Sequence, residues 1–170
     1  NNQGTLASNL TIASNTHLNN TGTISGSLQN QGTLNNQGTL RGQIINHKNL
    51  TNTGNITGPI TNNSNLINQN TISGSLTNNA TLTSTGTISG ETQNNGTINA
   101  IGTLGGNLTN NGLLNPGIKN LLGTLTIGGD FTQTKSGILT LELKPGSRSD
   151  HLVVKGTAHL GGRLNLDLLP

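Results

Sequence analysis

The sequence predicts an all-β protein that folds as a right-handed parallel β-helix, a solenoid built from coils of 16 residues. A 16-residue unit recurs six times without a gap between residues 22 and 117. Within the unit, aliphatic residues are separated by steps of four, six and six positions. Even steps keep side chains on one face of an extended chain, because successive residues of a strand point to opposite faces. Units of constant length that bury apolar side chains only against each other are typical of stacked coils.

Three aliphatic columns define the predicted core, and each marks one short strand of the coil. A helix would instead need apolar steps of three and four residues. Because crossovers between parallel strands are strongly right-handed, we expect a right-handed winding. The third, seventh and thirteenth positions of the six units hold, in turn, Ile24, Leu40, Ile56, Ile72, Ile88 and Leu104; Leu28, Ile44, Ile60, Leu76, Thr92 and Leu108; and Leu34, Leu50, Leu66, Leu82, Ile98 and Leu114.

The fifth position of every unit is glycine, which indicates a corner between two strands. A corner needs backbone conformations that a Cβ atom disfavours, and glycine supplies them. Pro59 directly follows one of these glycines and supports a bend there, since proline cannot donate to a central sheet ladder. The corner glycines are Gly26, Gly42, Gly58, Gly74, Gly90 and Gly106.

The ninth position of every unit is asparagine. Stacked coils would place these residues about 4.8 Å apart, the spacing of neighbouring strands, so their amides can form a hydrogen-bonded ladder. Ligand binding is the alternative interpretation, but the strict register with the coil favours the structural one. The six residues are Asn30, Asn46, Asn62, Asn78, Asn94 and Asn110.

The segment before the regular units reads as one more coil with two extra residues. The step from Leu6 to Leu10 is four, as in the units, but the step from Leu10 to Leu18 is eight instead of six. We therefore expect a small bulge at the turn between those strands.

We divide the chain into a repeat region, residues 1–117 with regular coils over 22–117, and a C-terminal end of the same solenoid, residues 118–170. The second part contains six of the eight Lys and Arg residues and has longer apolar alternations. We expect it to be a wider, better-packed end that protects the stack from edge-to-edge association. Its predicted inward residues are Leu139, Leu141 and Leu143; Leu152, Val154, Ala158 and Leu160; and Leu164, Leu166 and Leu168.

Composition argues against several classes of function. Only Arg41, Lys48 and Glu91 are charged between residues 22 and 117, which leaves no basic patch for nucleic acid. The carboxylates and histidines show no spacing typical of a catalytic pair or a metal site, so we expect no enzymatic activity, no metal and no cofactor. Asp150 is expected to cap a turn, and Phe131, the single aromatic residue, to lie in the core.

The last third of the chain resembles a known protein family. The run LLNPG, followed by GTLTIGGDFTQTKSGILTLEL and SDHLVVKGTAHLGGRLNL, resembles the membrane-proximal end of autotransporter passenger domains, the secreted parts of type V secretion proteins. It covers Leu113 to about Leu168, and the upstream repeats look like the stalks of adhesin-type members. The resemblance implies a right-handed β-helix at the surface of, or secreted from, a Gram-negative bacterium. Export would pass through the periplasm and an outer-membrane β-barrel that follows as the protein's own C-terminal partner. The chain opens in mid-coil, and we expect it to be a piece of a longer protein.

The leading functional hypothesis is an adhesive passenger segment that binds host glycans or matrix proteins, or associates with other copies of itself. One alternative is a passive stalk that displays an upstream effector or toxin domain. Another is an ice-binding solenoid, which would need an unbroken threonine array; Asn55 interrupts the row and Arg41 lies in a neighbouring column. The candidate adhesive row is the second position of the units: Thr23, Thr39, Asn55, Thr71, Thr87 and Thr103.

Overall fold

A computed structural model describes residues 1–118, 121–146 and 148–170, and all regular secondary structure in these ranges is β-strand. The first nine strands are β1 (Thr5–Leu6), β2 (Leu10–Ile12), β3 (His17–Asn20), β4 (Thr23–Ile24), β5 (Leu28–Asn30), β6 (Thr33–Asn36), β7 (Thr39–Leu40), β8 (Ile44–Asn46) and β9 (Asn49–Asn52). The next nine are β10 (Asn55–Ile56), β11 (Ile60–Asn62), β12 (Asn65–Asn68), β13 (Thr71–Ile72), β14 (Leu76–Asn78), β15 (Thr81–Ser84), β16 (Thr87–Ile88), β17 (Thr92–Asn94) and β18 (Thr97–Ala100). The last nine are β19 (Gly102–Leu104), β20 (Leu108–Asn110), β21 (Leu113–Pro116), β22 (Thr124–Ile127), β23 (Phe131–Gln133), β24 (Ile138–Leu143), β25 (His151–Val154), β26 (Ala158–Leu160) and β27 (Arg163–Leu168).

Every third strand joins the same sheet, so the chain winds through three parallel sheets of nine strands each. Sheet 1 contains β1, β4 and so on to β25; sheet 2 runs from β2 to β26, and sheet 3 from β3 to β27. In the regular coils each residue pairs with the residue 16 positions on, as Leu34 does with Leu50 and Leu50 with Leu66. The predicted parallel β-helix with 16-residue coils is therefore confirmed, and the right hand of its winding stays a prediction.

The core is one continuous apolar cluster, made of the three aliphatic columns and enclosed by the three sheets. The aliphatic residues of the third, seventh and thirteenth positions are buried throughout the regular coils, each stacked on its register partner of the next coil. Phe131 continues the column of Leu108 and is completely buried, as expected. Thr92 occupies the same column between Leu76 and Leu108, so one coil turns a hydroxyl into this apolar interior.

The first coil has the predicted insertion, in the form of a tight turn. Leu10 pairs with Leu28 and Leu18 with Leu34, so the two extra residues lie between β2 and β3. There Asn15 has a φ of 62°, and the backbone N–H of Thr16 donates a 3.2 Å hydrogen bond to the carbonyl oxygen of Ala13. Asparagine tolerates this left-handed conformation better than most residues, which lets the coil absorb the insertion without disturbing the stack.

The corner glycines lie between sheets 1 and 2, as predicted, but for a different physical reason. Positive φ angles occur at Gly102, Gly117, Gly146 and Gly162 among the described glycines, and not at the fifth-position glycines. A Cβ atom on Gly58 would instead collide with the carbonyl oxygen of Gly42 in the preceding coil. Close packing of successive corners therefore selects glycine at this position.

The C-terminal coils continue the three sheets with longer strands, and β24 and β27 have six residues each. Leu139 is buried, and Leu141, Leu152 and Val154 pack partly against the core. Leu143 is half-buried, and the better-packed, protected end stays a prediction. The exposed ones among the predicted inward set are Ala158, Leu160, Leu164, Leu166 and Leu168. They belong to β26 and β27, which have a neighbouring strand on one side only, so a single coil covers them.

Candidate functional site

The ninth-position asparagines form the predicted ladder in the protein interior. Each Nδ2 donates to Oδ1 of the asparagine in the next coil, from Asn30 through to Asn110, at 2.7–2.8 Å. The Asn62 amide also donates to the carbonyl oxygens of Ser64 at 2.9 Å and Thr81 at 3.0 Å. All six residues are buried, so their amides are occupied by the chain itself rather than offered to a ligand.

A second buried ladder of asparagine side chains was not predicted from the sequence. It starts with Asn2 and Asn20 and continues through Asn36, Asn52 and Asn68 with hydrogen bonds of 2.7–2.8 Å. Four of these asparagines are spaced 16 residues apart, which was the available signal. The column then changes to Ser84, Ala100 and Pro116. Because the residue type does not stay the same over all six units, the repeat pattern did not reveal this ladder. The two ladders flank sheet 3 and stiffen the coil on both sides of it.

The candidate adhesive row lies in sheet 1, where its six residues are register partners of one another. Asn55 and Thr87 are exposed, whereas Thr23, Thr39, Thr71 and Thr103 are half-buried. Because these sheet 1 strands have only two residues for most of the row, each coil turns one side chain outward here. The row is therefore a single file rather than a broad surface.

The broadest outward surface is on sheet 3, whose regular strands have four residues and turn two of them outward. We call the outward residues of β3, β6, β9, β12 and β15 the sheet 3 face. It contains one ionisable side chain, His17, and is otherwise built from amides, hydroxyls and one isoleucine. Its two rows, each in register across the coils, are His17, Thr33, Asn49, Asn65 and Thr81; and Asn19, Asn35, Thr51, Ile67 and Thr83.

Exposed amide ladders border this face. At the turn between sheets 2 and 3, Nδ2 of Asn79, Asn95 and Asn111 donates to Oδ1 of the asparagine one coil earlier, each at 2.8 Å. The first acceptor of this series is Asn63. On the sheet itself, Asn35 donates to Asn19 at 3.0 Å. Such amides hold a fixed orientation yet remain in contact with solvent, so they can meet another molecule without first becoming ordered.

Asp150 is a buried carboxylate that joins distant parts of the chain rather than capping one turn. Its Oδ1 accepts a hydrogen bond from the backbone N–H of Gly123 at 2.8 Å, and its Oδ2 accepts one from the backbone N–H of Glu142 at 2.9 Å.

No group of three or more His, Asp or Glu side chains suited to a metal ion occurs in residues 1–118, 121–146 and 148–170. In the same ranges no helix is long and apolar enough to cross a membrane.

A groove of about 750 Å³ opens beside sheet 3 where the chain leaves β21. Its lining combines amide and hydroxyl groups with carboxylates and with the apolar side chains of Leu113, Pro116 and Ile118. The polar lining residues are Asn99, Asn115, Thr140, Glu142, Asp150, Asn165 and Asp167. No sequence motif pointed to this groove, because its residues come from four strands and a loop.

Comparison of the chain with protein-family models, with curated proteins and with solved structures finds no match.

Proposed function

We propose that this chain is a structural and adhesive segment of a bacterial surface protein, which attaches to host glycans or matrix proteins or to other copies of itself. The observation that carries the proposal is the sheet 3 face. It presents two parallel rows in which all residues except His17 and Ile67 carry amides or hydroxyls, repeated at the strand spacing along the stack. Single hydrogen bonds of this kind contribute only about 1 kcal/mol each. A regular array lets many of them form together, and the first contact raises the effective concentration of the rest.

Electrostatics also favours contact between copies. The sheet 3 face has no Lys, Arg, Asp or Glu, so two such faces can approach without like-charge repulsion. The charged Arg41, Lys48 and Glu91 lie on turns outside the strands. The single threonine row of sheet 1 is a secondary contact surface in this proposal, since it offers one side chain per coil.

The cellular setting of the proposal comes from the sequence resemblance. A passenger segment of an autotransporter would reach the cell surface through the periplasm and an outer-membrane β-barrel of the same protein. The parallel β-solenoid is compatible with that origin, and fold by itself does not specify it. Nucleic acid is not among the proposed partners, because the regular coils have no basic cluster.

The test is self-association and attachment of the purified protein and of cells that display it. We expect Thr51→Lys combined with Thr83→Lys to abolish clumping and attachment, because the added charges repel and interrupt the second row of the face. The matched control is Thr61→Lys combined with Thr77→Lys, which places the same charges on the outward row of sheet 2. Unchanged clumping and attachment with the sheet 3 substitutions would contradict the proposal.

A passive stalk is the second candidate, favoured by the continuity of the stack. The buried amide ladder from Asn30 to Asn110 and the three sheets run through the regular coils without interruption, as expected for a rigid spacer. If the sheet 3 substitutions have no effect and deletion of one whole coil, residues 54–69, is also tolerated in the displayed protein, the stalk is the better description.

Ice binding has less geometric support, because the threonine row is one residue wide and Asn55 interrupts it. Measurement of thermal hysteresis with the purified protein tests this alternative.

A further inference from the structure

We propose that a second groove, in the first coils of the solenoid, binds a neutral oligosaccharide. The inference rests on the proposed adhesive function and deepens it by naming a ligand class. The groove has a volume of about 520 Å³ and lies where sheet 3 turns into sheet 1, between Asn1 and Thr53. We call it the N-terminal groove. Its two rows of outward residues are Asn19, Asn35 and Thr51 in the first row, and Thr21, Gln37 and Thr53 in the second.

Both rows run along the stack at the spacing of the coils. The first row belongs to the sheet 3 face, where Asn19, Asn35 and Thr51 are register partners. The second row lies on the turns that follow these strands. There the backbone N–H of Gln37 donates to the carbonyl oxygen of Asn20 in the preceding coil at 2.8 Å, and the neighbouring turns repeat this hydrogen bond. The two rows are therefore parallel walls of one channel.

Buried hydrogen bonds hold the floor of the N-terminal groove. In each of its coils the residue between the two rows is buried and belongs to the second asparagine ladder. Asn20 donates to Asn36 at 2.7 Å, and Asn36 donates to Asn52 at 2.8 Å. This ladder runs from Asn2 to Asn68, so it lies beneath every coil of the groove. A floor held in this way keeps its shape without ligand, which lowers the entropic cost of binding.

The walls are held by hydrogen bonds as well. Nδ2 of Asn35 donates to Oδ1 of Asn19 at 3.0 Å. The hydroxyl groups of Thr21 and Thr53 donate to backbone carbonyl oxygens of the preceding coil at 3.1 and 3.2 Å, so their oxygens remain as acceptors. Gln37 is exposed between these two threonines and adds an amide with two donors and an acceptor.

The lining fits the hydroxyl groups of a neutral sugar. Its amides and threonine oxygens supply both donors and acceptors, as a sugar hydroxyl requires. None of the described side chains that line the groove is ionisable, so no charge there compensates the desolvation of a carboxylate, sulfate or phosphate group. None of them is aliphatic or aromatic either, so an acyl chain or an apolar peptide would find no apolar partner.

The extent of the groove sets the length of the ligand. Polar side chains recur along it at the coil spacing of about 4.8 Å, close to the length of one sugar unit. Asn1, whose Oδ1 accepts a hydrogen bond from Asn19 at 3.3 Å, extends the first row by one coil. At the other end the row meets Ile67, the register partner of Thr51. A chain of about four sugar units would therefore fill the groove.

The experiment is titration of the purified protein with glucose, mannose, galactose and N-acetylglucosamine, each as monosaccharide, linear tetrasaccharide and linear hexasaccharide. A hyaluronan tetrasaccharide is the anionic comparison, and calorimetry measures binding. We expect at least one neutral tetrasaccharide to bind in the millimolar range or tighter, and at least about tenfold more tightly than its monosaccharide, because more hydrogen bonds form. The hexasaccharide should gain less than about threefold over the tetrasaccharide, because its outer units project beyond the groove. The hyaluronan chain should bind at least about tenfold more weakly.

Two matched variants locate the site. Gln37→Ala removes an exposed amide of the groove and should weaken binding of the tetrasaccharide at least about threefold, the loss of one hydrogen bond. Gln69→Ala removes an exposed amide of the same row two coils further on, outside the groove, and should leave binding unchanged. Thermal melts of both variants show whether the solenoid is intact. In ¹⁵N NMR spectra of the unsubstituted protein, the tetrasaccharide should shift the side-chain amide signals of Asn35 and Gln37 and leave that of Gln69 in place.

Three outcomes would overturn the inference: no neutral chain binds at millimolar concentration, the hyaluronan chain binds as tightly as the best neutral one, or the two variants have equal effects on binding. A tetrasaccharide that binds no more tightly than its monosaccharide would also contradict it.

Failure of the inference is distinguishable from failure of the adhesive proposal. Gln37 lies outside the sheet 3 face, so Gln37→Ala should leave clumping of the displaying cells unchanged. Clumping that depends on Thr51 and Thr83, shown by a protein that binds no sugar, would contradict the inference alone. Sugar binding that depends on Gln37, shown by a protein whose cells neither clump nor attach, would contradict the adhesive proposal alone.

Discussion

The side-chain amide of Asn62 donates a 2.8 Å hydrogen bond to Oδ1 of Asn78, and both residues are completely buried. The same atom of Asn62 also reaches two backbone carbonyl oxygens, and its Oδ1 accepts from Asn46 at 2.8 Å. Each link of this ladder thus satisfies polar groups of two coils at once. The ladder stabilises the coil junction only while it is complete, because a buried amide without its partners costs about 1–3 kcal/mol.

Asn62→Ala should therefore lower the free energy of unfolding by about 2–5 kcal/mol, since it removes a partner from both Asn46 and Asn78. Urea unfolding followed by circular dichroism measures the loss. Asn79→Ala is the matched control, because it also removes two amide hydrogen bonds of 2.8 Å, one to Asn63 and one from Asn95. These bonds are exposed, so the substitution should cost less than about 1 kcal/mol. Equal costs for the two substitutions would mean that burial does not set the strength of the ladder.

Thr92→Val should stabilise the protein. The Thr92 Oγ1 is buried and has no hydrogen-bond partner among the described residues, and its column neighbours are Leu76 and Leu108. Valine has nearly the same shape and removes the unsatisfied hydroxyl, so we expect a gain of about 1 kcal/mol. Thr77→Val, on the outward row of the same sheet, should change stability by less than about 0.5 kcal/mol. A lower melting temperature for Thr92→Val would count against the expectation.

Gly58→Ala tests the packing of the corner between sheets 1 and 2. The new Cβ would collide with the backbone carbonyl oxygens of Gly42 and Arg41, and backbone atoms cannot move aside as a flexible side chain can. We expect a loss of about 3 kcal/mol, at the upper end of overpacking costs. Gly4→Ala is the control, since a Cβ there meets no atom within 4 Å. Thermal unfolding of both variants measures the loss. If Gly58→Ala leaves the stability unchanged, close approach of the backbone is not the reason for glycine at this position.

Asp150→Ala should loosen the loop that follows β21. The substitution removes the carboxylate that accepts hydrogen bonds from the backbone N–H groups of Gly123 and Glu142. Both amide hydrogens should then exchange with deuterium at least about tenfold faster, because the free energy of local opening falls by about 1.4 kcal/mol. Amides of the regular coils, such as that of Leu76, should keep their protection. Asp167→Asn, at an exposed carboxylate on β27, is the control and should leave the exchange of Gly123 unchanged. Protection of Gly123 that survives Asp150→Ala would show that other contacts hold the loop.

The sequence by itself determined the coil. The aliphatic positions repeat every 16 residues, and each such column proved to be an inward stack, as with Leu34, Leu50 and Leu66. Periodicity suffices here because in a solenoid a residue's neighbours are its equivalents in the adjacent coils, so the contacts can be read from the spacing alone. The same logic located the asparagines of the ninth position, whose partners are identical residues.

Only the tertiary structure decided the features that do not repeat. The ladder through Asn36 and Asn52 ends at Ser84 and Ala100, and a column whose chemistry changes gives no periodic signal. The contact of Asp150 with Gly123 depends on coils of irregular length, and spacing cannot predict their register. The breadth of sheet 3 follows from the number of outward positions on each strand, which depends on where the backbone bends. Repetition makes neighbours predictable, whereas irregular loops and bends are settled by packing in three dimensions.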